Sequence, residues 1–420
     1  MTANRSSFWT CFGPGLLWAA AAVGVSHLVQ STRAGGGFGF GFAFIIVITL
    51  ILKFPFFEFG PRYAAATDES LVEGYRRIGR WALWLYLVIT LATSVIVQSA
   101  IVLFTAFLLN YAFGWNLSLP LAGAVVLAAC GLLLRLGQYR ALDLSIKIIM
   151  ALLAVSTLTA AAVALPRADF SSLALLPKVE WTLPQVGFLL ALVGWMPSAV
   201  DISVWSSLWT LAKNRSRGER ASLGNALLDF RIGYWGTAAL AFCFLTLGAS
   251  VMYTSGEEFS PLGTVFSTQL VDLYAKTLGE WARPVVLLAV LTTMFSTSLT
   301  VIDGFPRAIE RSIQCLSTRS TQTLPNNAGR GYWITFVALA AATIVFLTRF
   351  IGNLTAMIDF ATIVSFLTGP ILGFLNLRAV TAPHVPAEAR PSRLLITISW
   401  IGLLVLGGTG IAYIAWRLSG

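Results

Sequence analysis

The chain has 420 residues, of which 57% are hydrophobic and only 11% charged, and its mean hydropathy is +0.79. A water-soluble protein carries about a quarter charged residues, so a soluble enzyme and a nucleic-acid binder are excluded as readings of the bulk of the sequence. The net charge of +10 must then reflect where the basic residues sit relative to a bilayer.

A membrane-spanning helix needs about 20 apolar residues. Apolar stretches between charged or Pro/Gly-rich breaks predict eleven spans, near 13–35, 38–60, 81–110, 118–136, 141–165, 184–211, 232–253, 283–305, 332–350, 354–377 and 394–416. Helices are required because lipid offers backbone groups no partners, and the runs lack the alternation of a membrane barrel. The first run is long and ends without a small-residue cleavage site, so no removable signal peptide is expected. Cys11, Cys130, Cys243 and Cys315 lie far apart, which predicts packing residues and neither disulfides nor a metal knuckle. With the N-terminus inside, nineteen Lys and Arg residues fall in inner segments and seven in outer ones. The expectation is one polytopic unit, residues 1–420, in a cell membrane such as the bacterial inner membrane, with a cytoplasmic N-terminus and an external C-terminus.

Span one opens Gly13-Pro14-Gly15, runs through alanines, meets Gly24-Val25-Ser26-His27, and resumes to Arg33 and Gly35-Gly36-Gly37. Arg33 at its outer end suits an interfacial, snorkelling role. In span two, Lys53 and Glu58 flank Pro55, the pattern of a kink with snorkelling ends. Span three carries no acidic residue. Asp143 with Lys147, and Asp303 with Arg307, have helix-neighbour spacing and predict structural or inner-gate ion pairs. Span six is interrupted at Gly194-Trp195-Met196-Pro197-Ser198 and resumes at Asp201. Both interruptions lie part-way along their spans, and the spans are five apart. Corresponding breaks in spans one and six of ten predict an inverted 5+5 repeat, residues 13–165 and 184–377, with helix 394–416 added and the site at the midplane. Span eight concentrates hydroxyls at Thr292, Thr293, Ser296, Thr297 and Ser298; span ten holds Asp359 and Thr362 within the membrane.

Phe12-Gly13-Pro14-Gly15, the stretch from Ala34-Gly35 to Phe38-Gly39, Met196-Pro197 and the eleven-span layout resemble the natural resistance-associated macrophage protein (NRAMP) family of proton-coupled divalent-metal transporters. The resemblance implies an all-α, LeuT-type fold with discontinuous helices one and six. Family members carry Asp-Pro-Gly-Asn at the first break, where the Asp and Asn ligate metal; those positions are Gly24, Val25, Ser26 and His27 here. Span six keeps the family's Met and Pro but has Ser198 and Ser203 where the family has histidines. The acidic residues of the family's third span, which help move protons, are missing. In LeuT-type symporters the span-eight position supplies hydroxyls to sodium, together with carbonyls of the first break.

A dehydrated divalent cation needs anionic oxygen or several strong ligands, and one thioether and one imidazole are not enough. Half-helix N-termini at about Ser26–Val29 and Ser198–Asp201 favour an anion. The expected substrate is therefore a small anion, bicarbonate first and nitrate-, formate- or acetate-like anions next. Gly24, Val25, Ser26, His27, Met196, Ser198, Ala199 and Thr362 are the expected binding residues. Asp201, Arg33, Thr292, Thr293, Ser296, Thr297 and Asp359 are expected to serve coupling or gating, with Asp201 taking up a proton or pairing with His27 or Arg33, and Asp359 at an outer gate. No cofactor is expected apart from sodium as a coupling ion, and the protein is expected to be a monomer or weak oligomer. The alternatives are proton-coupled transport of manganese, iron or magnesium, and a channel; no catalytic set is present for an intramembrane enzyme.

Overall fold

The computed structural model describes residues 13–136, 139–175, 180–218, 220–317, 329–349 and 353–419, with backbone alone for 139–150 and 216–217. Cys11, Phe12, Lys178, Arg319 and the side chains of Asp143 and Lys147 thus lie outside the described residues. Every described regular element is helical: α1 (Pro14–Ala22), α2 (Thr32–Phe38), α3 (Ala43–Thr67), α4 (Leu71–Ile78), α5 (Arg80–Phe113), α6 (Leu119–Arg135), α7 (Tyr139–Ala164), α8 (Leu183–Gly194), α9 (Ile202–Arg217), α10 (Leu223–Leu247), α11 (Gly263–Leu278), α12 (Ala282–Ser317), α13 (Arg330–Arg349), α14 (Leu354–Val380) and α15 (Arg393–Ser419).

Each predicted span coincides with helix, and seven helices are long and apolar enough to cross a membrane whole. Spans one and six are not among those seven, because each is split. α1 stops at Ala22 and the chain resumes as a π-helical turn, Ser26–Ser31, leading into α2; α8 stops at Gly194 and α9 begins at Ile202. Span seven begins earlier than its apolar run suggests, at Leu223, because Ser222 caps the helix by accepting a hydrogen bond from the Asn225 N–H at 3.3 Å. Two helices escaped the hydropathy pattern. α4 is short and amphipathic, closed by a capping box between Ser70 and Glu73. α11 lies between spans seven and eight and mixes apolar with polar residues.

The core is built around α5 and α12, which pack on each other; α5 also packs on α14 and α12 on α7. Those relations exchange under a 5+5 repeat. Glycines let backbones meet where no side chain fits: a Cβ at Gly60 would lie 2.1 Å from the Ser203 carbonyl, and one at Gly194 2.1 Å from that of Thr362. The second contact seats α14 against the span-six break. Buried Asp229 of α10 accepts from Gly13 N–H at 3.1 Å and Gly15 N–H at 2.8 Å, supplying the N-terminus of α1 with the anionic cap that its own sequence lacks.

Two sequence expectations are corrected here. Glu58 does not snorkel: its side chain is fully buried, accepting from Arg62 and from Arg231 Nε at 2.9 Å. Lys53 does not reach an interface either: it is buried and donates to backbone carbonyls of span six. Asp303 and Arg307 do pair, at 2.6 Å, and Asp303 also accepts from Trp209 Nε1 at 3.1 Å and the Tyr332 hydroxyl at 2.9 Å.

Candidate functional site

The two breaks face each other across a cavity of about 30 Å³, room for one or two water-sized groups. Its polar lining comes from Ser26 beside the first break, Trp195 and Ser198 in the second, Trp205 one turn into α9, and Thr297 of α12; Val25 and Ala199 complete the facing backbones. No carboxylate lines it. The indole Nε1 atoms of Trp195 and Trp205 are buried and without an acceptor among the described residues. An indole N–H only donates, and an unmatched buried donor costs about 1–3 kcal/mol. Two of the residues that line the cavity thus carry a buried donor without an acceptor among the described residues.

Of the expected binding residues, Val25, Ser26, Ser198 and Ala199 line the cavity, whereas Gly24, His27, Met196 and Thr362 are near it but outside its lining. Gly24 is excluded by close packing, since a Cβ there would lie 2.7 Å from both Thr297 Cγ2 and Oγ1. His27 is wholly buried between Ser26 Oγ, 2.7 Å from Nδ1, and the Thr237 carbonyl, 2.9 Å from Nε2. Ser26 Oγ also lies 2.6 Å from the Ala22 carbonyl. Met196 is wholly buried, and the peptide joining it to Pro197 is cis. The Thr362 hydroxyl donates back to Ile358 and Asp359 carbonyls of its own helix, at 2.8 and 2.9 Å.

The free N–H groups are also fewer than expected at the first break. Those of His27 and Leu28 both close on the Gly24 carbonyl, at 3.1 and 2.9 Å. At the second break the N–H groups of Ile202 and Ser203 are taken by the carbonyls of Ala199 and Val200, while those of Ala199 and Val200 have no partner among the described residues. Span six therefore leaves two backbone N–H groups unmatched among the described residues.

Arg33 is not an interfacial snorkeller. Its guanidinium makes a two-point ion pair with Asp359, at 2.7 and 3.1 Å, lies 4.8 Å from the Phe188 ring centroid of α8, and is only 17% exposed. Gln30 donates to the same carboxylate at 2.9 Å. This clamp joins span one to span ten. Asp201 pairs with neither His27 nor Arg33; it is buried, and its Oδ1 has no hydrogen-bond partner among the described residues.

The span-eight hydroxyls divide by helix face. Thr297 Oγ1 lies 3.0, 3.1 and 3.1 Å from the carbonyl oxygens of Ala20, Val23 and Thr293, so it knits α12 to the end of α1. Thr293 Oγ1 and Ser296 Oγ are buried and have no partner among the described residues. Ser298 meets Thr105 of α5 at 2.9 Å. Thr292 faces away from the break and bonds back to its own helix.

Sequence reasoning missed Lys53, Trp195, Trp205 and Gln30 as site residues. A lysine in the middle of an apolar run was the available signal for the first. The tryptophans gave none, since an apolar ring at helical spacing reads as core.

The profile of the Natural resistance-associated macrophage protein-like (Nramp) family matches residues 15–415. An uncharacterised protein of Pasteurella multocida is 35% identical over 412 residues, 97% of this chain and 93% of that protein. Among solved structures, the chain is similar to an Eremococcus coleocola manganese transporter, with a TM-score of 0.76 at 16% identity, covering 100% of this chain and 90% of the other. It is also similar to Mhp1, a nucleobase-cation-symport-1 family transporter, with a TM-score of 0.60 at 14% identity, covering 97% and 92%. These likenesses and the split helices one and six establish the LeuT-type fold. The chain is an integral membrane protein that belongs to the Nramp family.

Proposed function

We propose that this Nramp-family secondary transporter moves a small oxyanion, bicarbonate first among the candidates, and not a transition metal. The observation that carries this reading is the donor set. Two lining tryptophans whose indole N–H groups lack an acceptor among the described residues, the open N–H groups of Ala199 and Val200 and the hydroxyl of Ser198 belong to a site whose cavity no carboxylate lines. Among the described residues no three His, Cys, Asp or Glu side chains come together. A planar anion accepts from several such donors at once, and the dipole of α9 adds to the attraction. The manganese named for the Eremococcus structure would require anionic or multiple strong ligands, which this lining does not provide.

Reconstituted protein is expected to acidify or alkalinise liposomes according to an imposed bicarbonate gradient, with a saturable rate. Trp195→Phe and Trp205→Phe keep the ring and remove the N–H. Each is expected to raise the half-saturating bicarbonate concentration about tenfold, the value of about 1.5 kcal/mol for a hydrogen bond to a charged acceptor. Saturable micromolar manganese uptake by the wild type, with no bicarbonate response, would overturn the reading.

Proton counting favours proton coupling through His27. The carbonyls of Ala22 and Thr237 can only accept, and between them lie one hydroxyl and one imidazole joined by three contacts. A neutral pair supplies two protons for three contacts; the imidazolium supplies the third. Uptake is expected to depend on pH in the wild type, and that slope is expected to flatten in His27→Gln. A second reading, sodium coupling, is favoured by the three carbonyls around Thr297 Oγ1 beside the unpartnered Thr293 and Ser296 hydroxyls. Replacing sodium by choline separates the two: loss of uptake in choline, with the pH slope of His27→Gln unchanged from wild type, identifies sodium.

A further inference from the structure

Lys53 lies in the middle of α3, is buried, and donates all three ammonium protons to backbone carbonyls of the span-six break: Val193 at 3.1 Å, Gly194 at 2.9 Å and Ser198 at 2.9 Å. Its nitrogen also lies 5.6 Å from the Phe57 ring centroid. Among the described residues it has no carboxylate partner. Moving an unpaired ammonium out of water costs several kcal/mol, so a charge kept here is held by the carbonyls that surround it.

Those carbonyls matter for selectivity. Val193 and Gly194 end α8, where the helix dipole is negative, and Ser198 belongs to the cavity lining. Unwound carbonyls and half-helix C-termini are the groups with which discontinuous helices coordinate cations. In this protein they are already coordinated, by a cation that is part of the chain. The negative end of α8 is neutralised, the positive end of α9 is left unopposed, and the Ser198 carbonyl is committed to Lys53.

We propose that Lys53 is a resident cation that sets charge selectivity: it fills the carbonyl cage a permeating cation would need and gives the break a net positive field. This deepens the anion reading and rests on it. Lys53 acts through the break and is a positioning and selectivity residue, not a substrate ligand.

The test uses full-length wild type, Lys53→Met and Lys53→Arg in liposomes, with radiolabelled bicarbonate and radiolabelled sodium as probes. Thermal unfolding in detergent reports folding of each variant. Lys53→Met is expected to raise the half-saturating bicarbonate concentration at least tenfold and to admit sodium in the absence of bicarbonate, which wild type does not. Lys53→Arg keeps the charge and is expected to keep sodium excluded, with weaker bicarbonate binding because a planar guanidinium does not fit three converging carbonyls. Folded Lys53→Met with wild-type bicarbonate affinity and no sodium entry overturns the proposal. Should Lys53→Met not fold, sodium entry through folded Lys53→Arg overturns it instead. If wild type moves no bicarbonate, the anion reading fails by itself, and sodium entry through Lys53→Met still decides the role of Lys53.

Discussion

Manganese uptake is expected to stay absent, and anion uptake to fall at least about tenfold, when Gly24→Asp restores the carboxylate that metal-transporting family members carry at the first break. The reason is spatial before it is chemical. A Cβ at residue 24 would lie 2.7 Å from Thr297, a side chain whose hydroxyl lies within hydrogen-bond distance of three carbonyls, two of them at the end of α1. Overpacking of this kind costs about 1–3 kcal/mol, and here it falls on the contact that fixes the break. The new carboxylate would also lack the further ligands that a dehydrated divalent ion requires. Radiolabelled manganese and bicarbonate uptake in the same liposomes checks both halves of the expectation, and manganese transport by this single variant would refute the anion reading. Thr297→Ala in the Gly24→Asp background opens the space and is expected to recover folding without creating metal transport.

Glu58→Ala is expected to be the most destabilising single change at the packed end of α3, by about 3–5 kcal/mol, the cost of leaving a buried charge without its partner. Glu58 is wholly buried, and its two oxygens separate the guanidinium groups of Arg62 and Arg231. Arg62 is itself nearly buried and donates onward to the Ala389 carbonyl at 3.0 Å, tying α3 to the segment before α15. Arg231 is about half exposed and regains water when its partner is lost. The double variant Glu58→Met with Arg62→Met is expected to recover most of the loss, because an apolar pair of similar volume is often as stable as a buried ion pair. Thermal unfolding of the three proteins in detergent reads both the loss and the recovery. Equal midpoints for wild type and Glu58→Ala would show that the carboxylate contributes nothing to the fold.

Both predictions bear on how far residues could be read without coordinates. Composition and the length of apolar runs determined a polytopic helical protein, because a backbone in lipid must satisfy its own hydrogen bonds and needs a set number of residues to cross. Gly24-Val25-Ser26-His27 and Gly194-Trp195-Met196-Pro197 marked the two interruptions for a local reason: glycine and proline act on their own turn of chain. The loss of the Asp at residue 24 was equally plain. Hydropathy did not find α4, whose stability comes from its capping box and from burying one face, nor the mixed helix α11.

Partnership was decided only by the tertiary structure. Arg33 and Asp359 are 326 residues apart in sequence, Lys53 and the carbonyls of the span-six break at least 140, and no periodicity or spacing connects them. The same limit made Lys53 and Glu58 look like snorkelling ends, since a charge in an apolar run has two resolutions, water at the interface or a partner inside. A sequence gives the charge and its depth; which resolution wins depends on whether another helix brings carbonyls or an opposite charge to within hydrogen-bond reach, and only packing determines that.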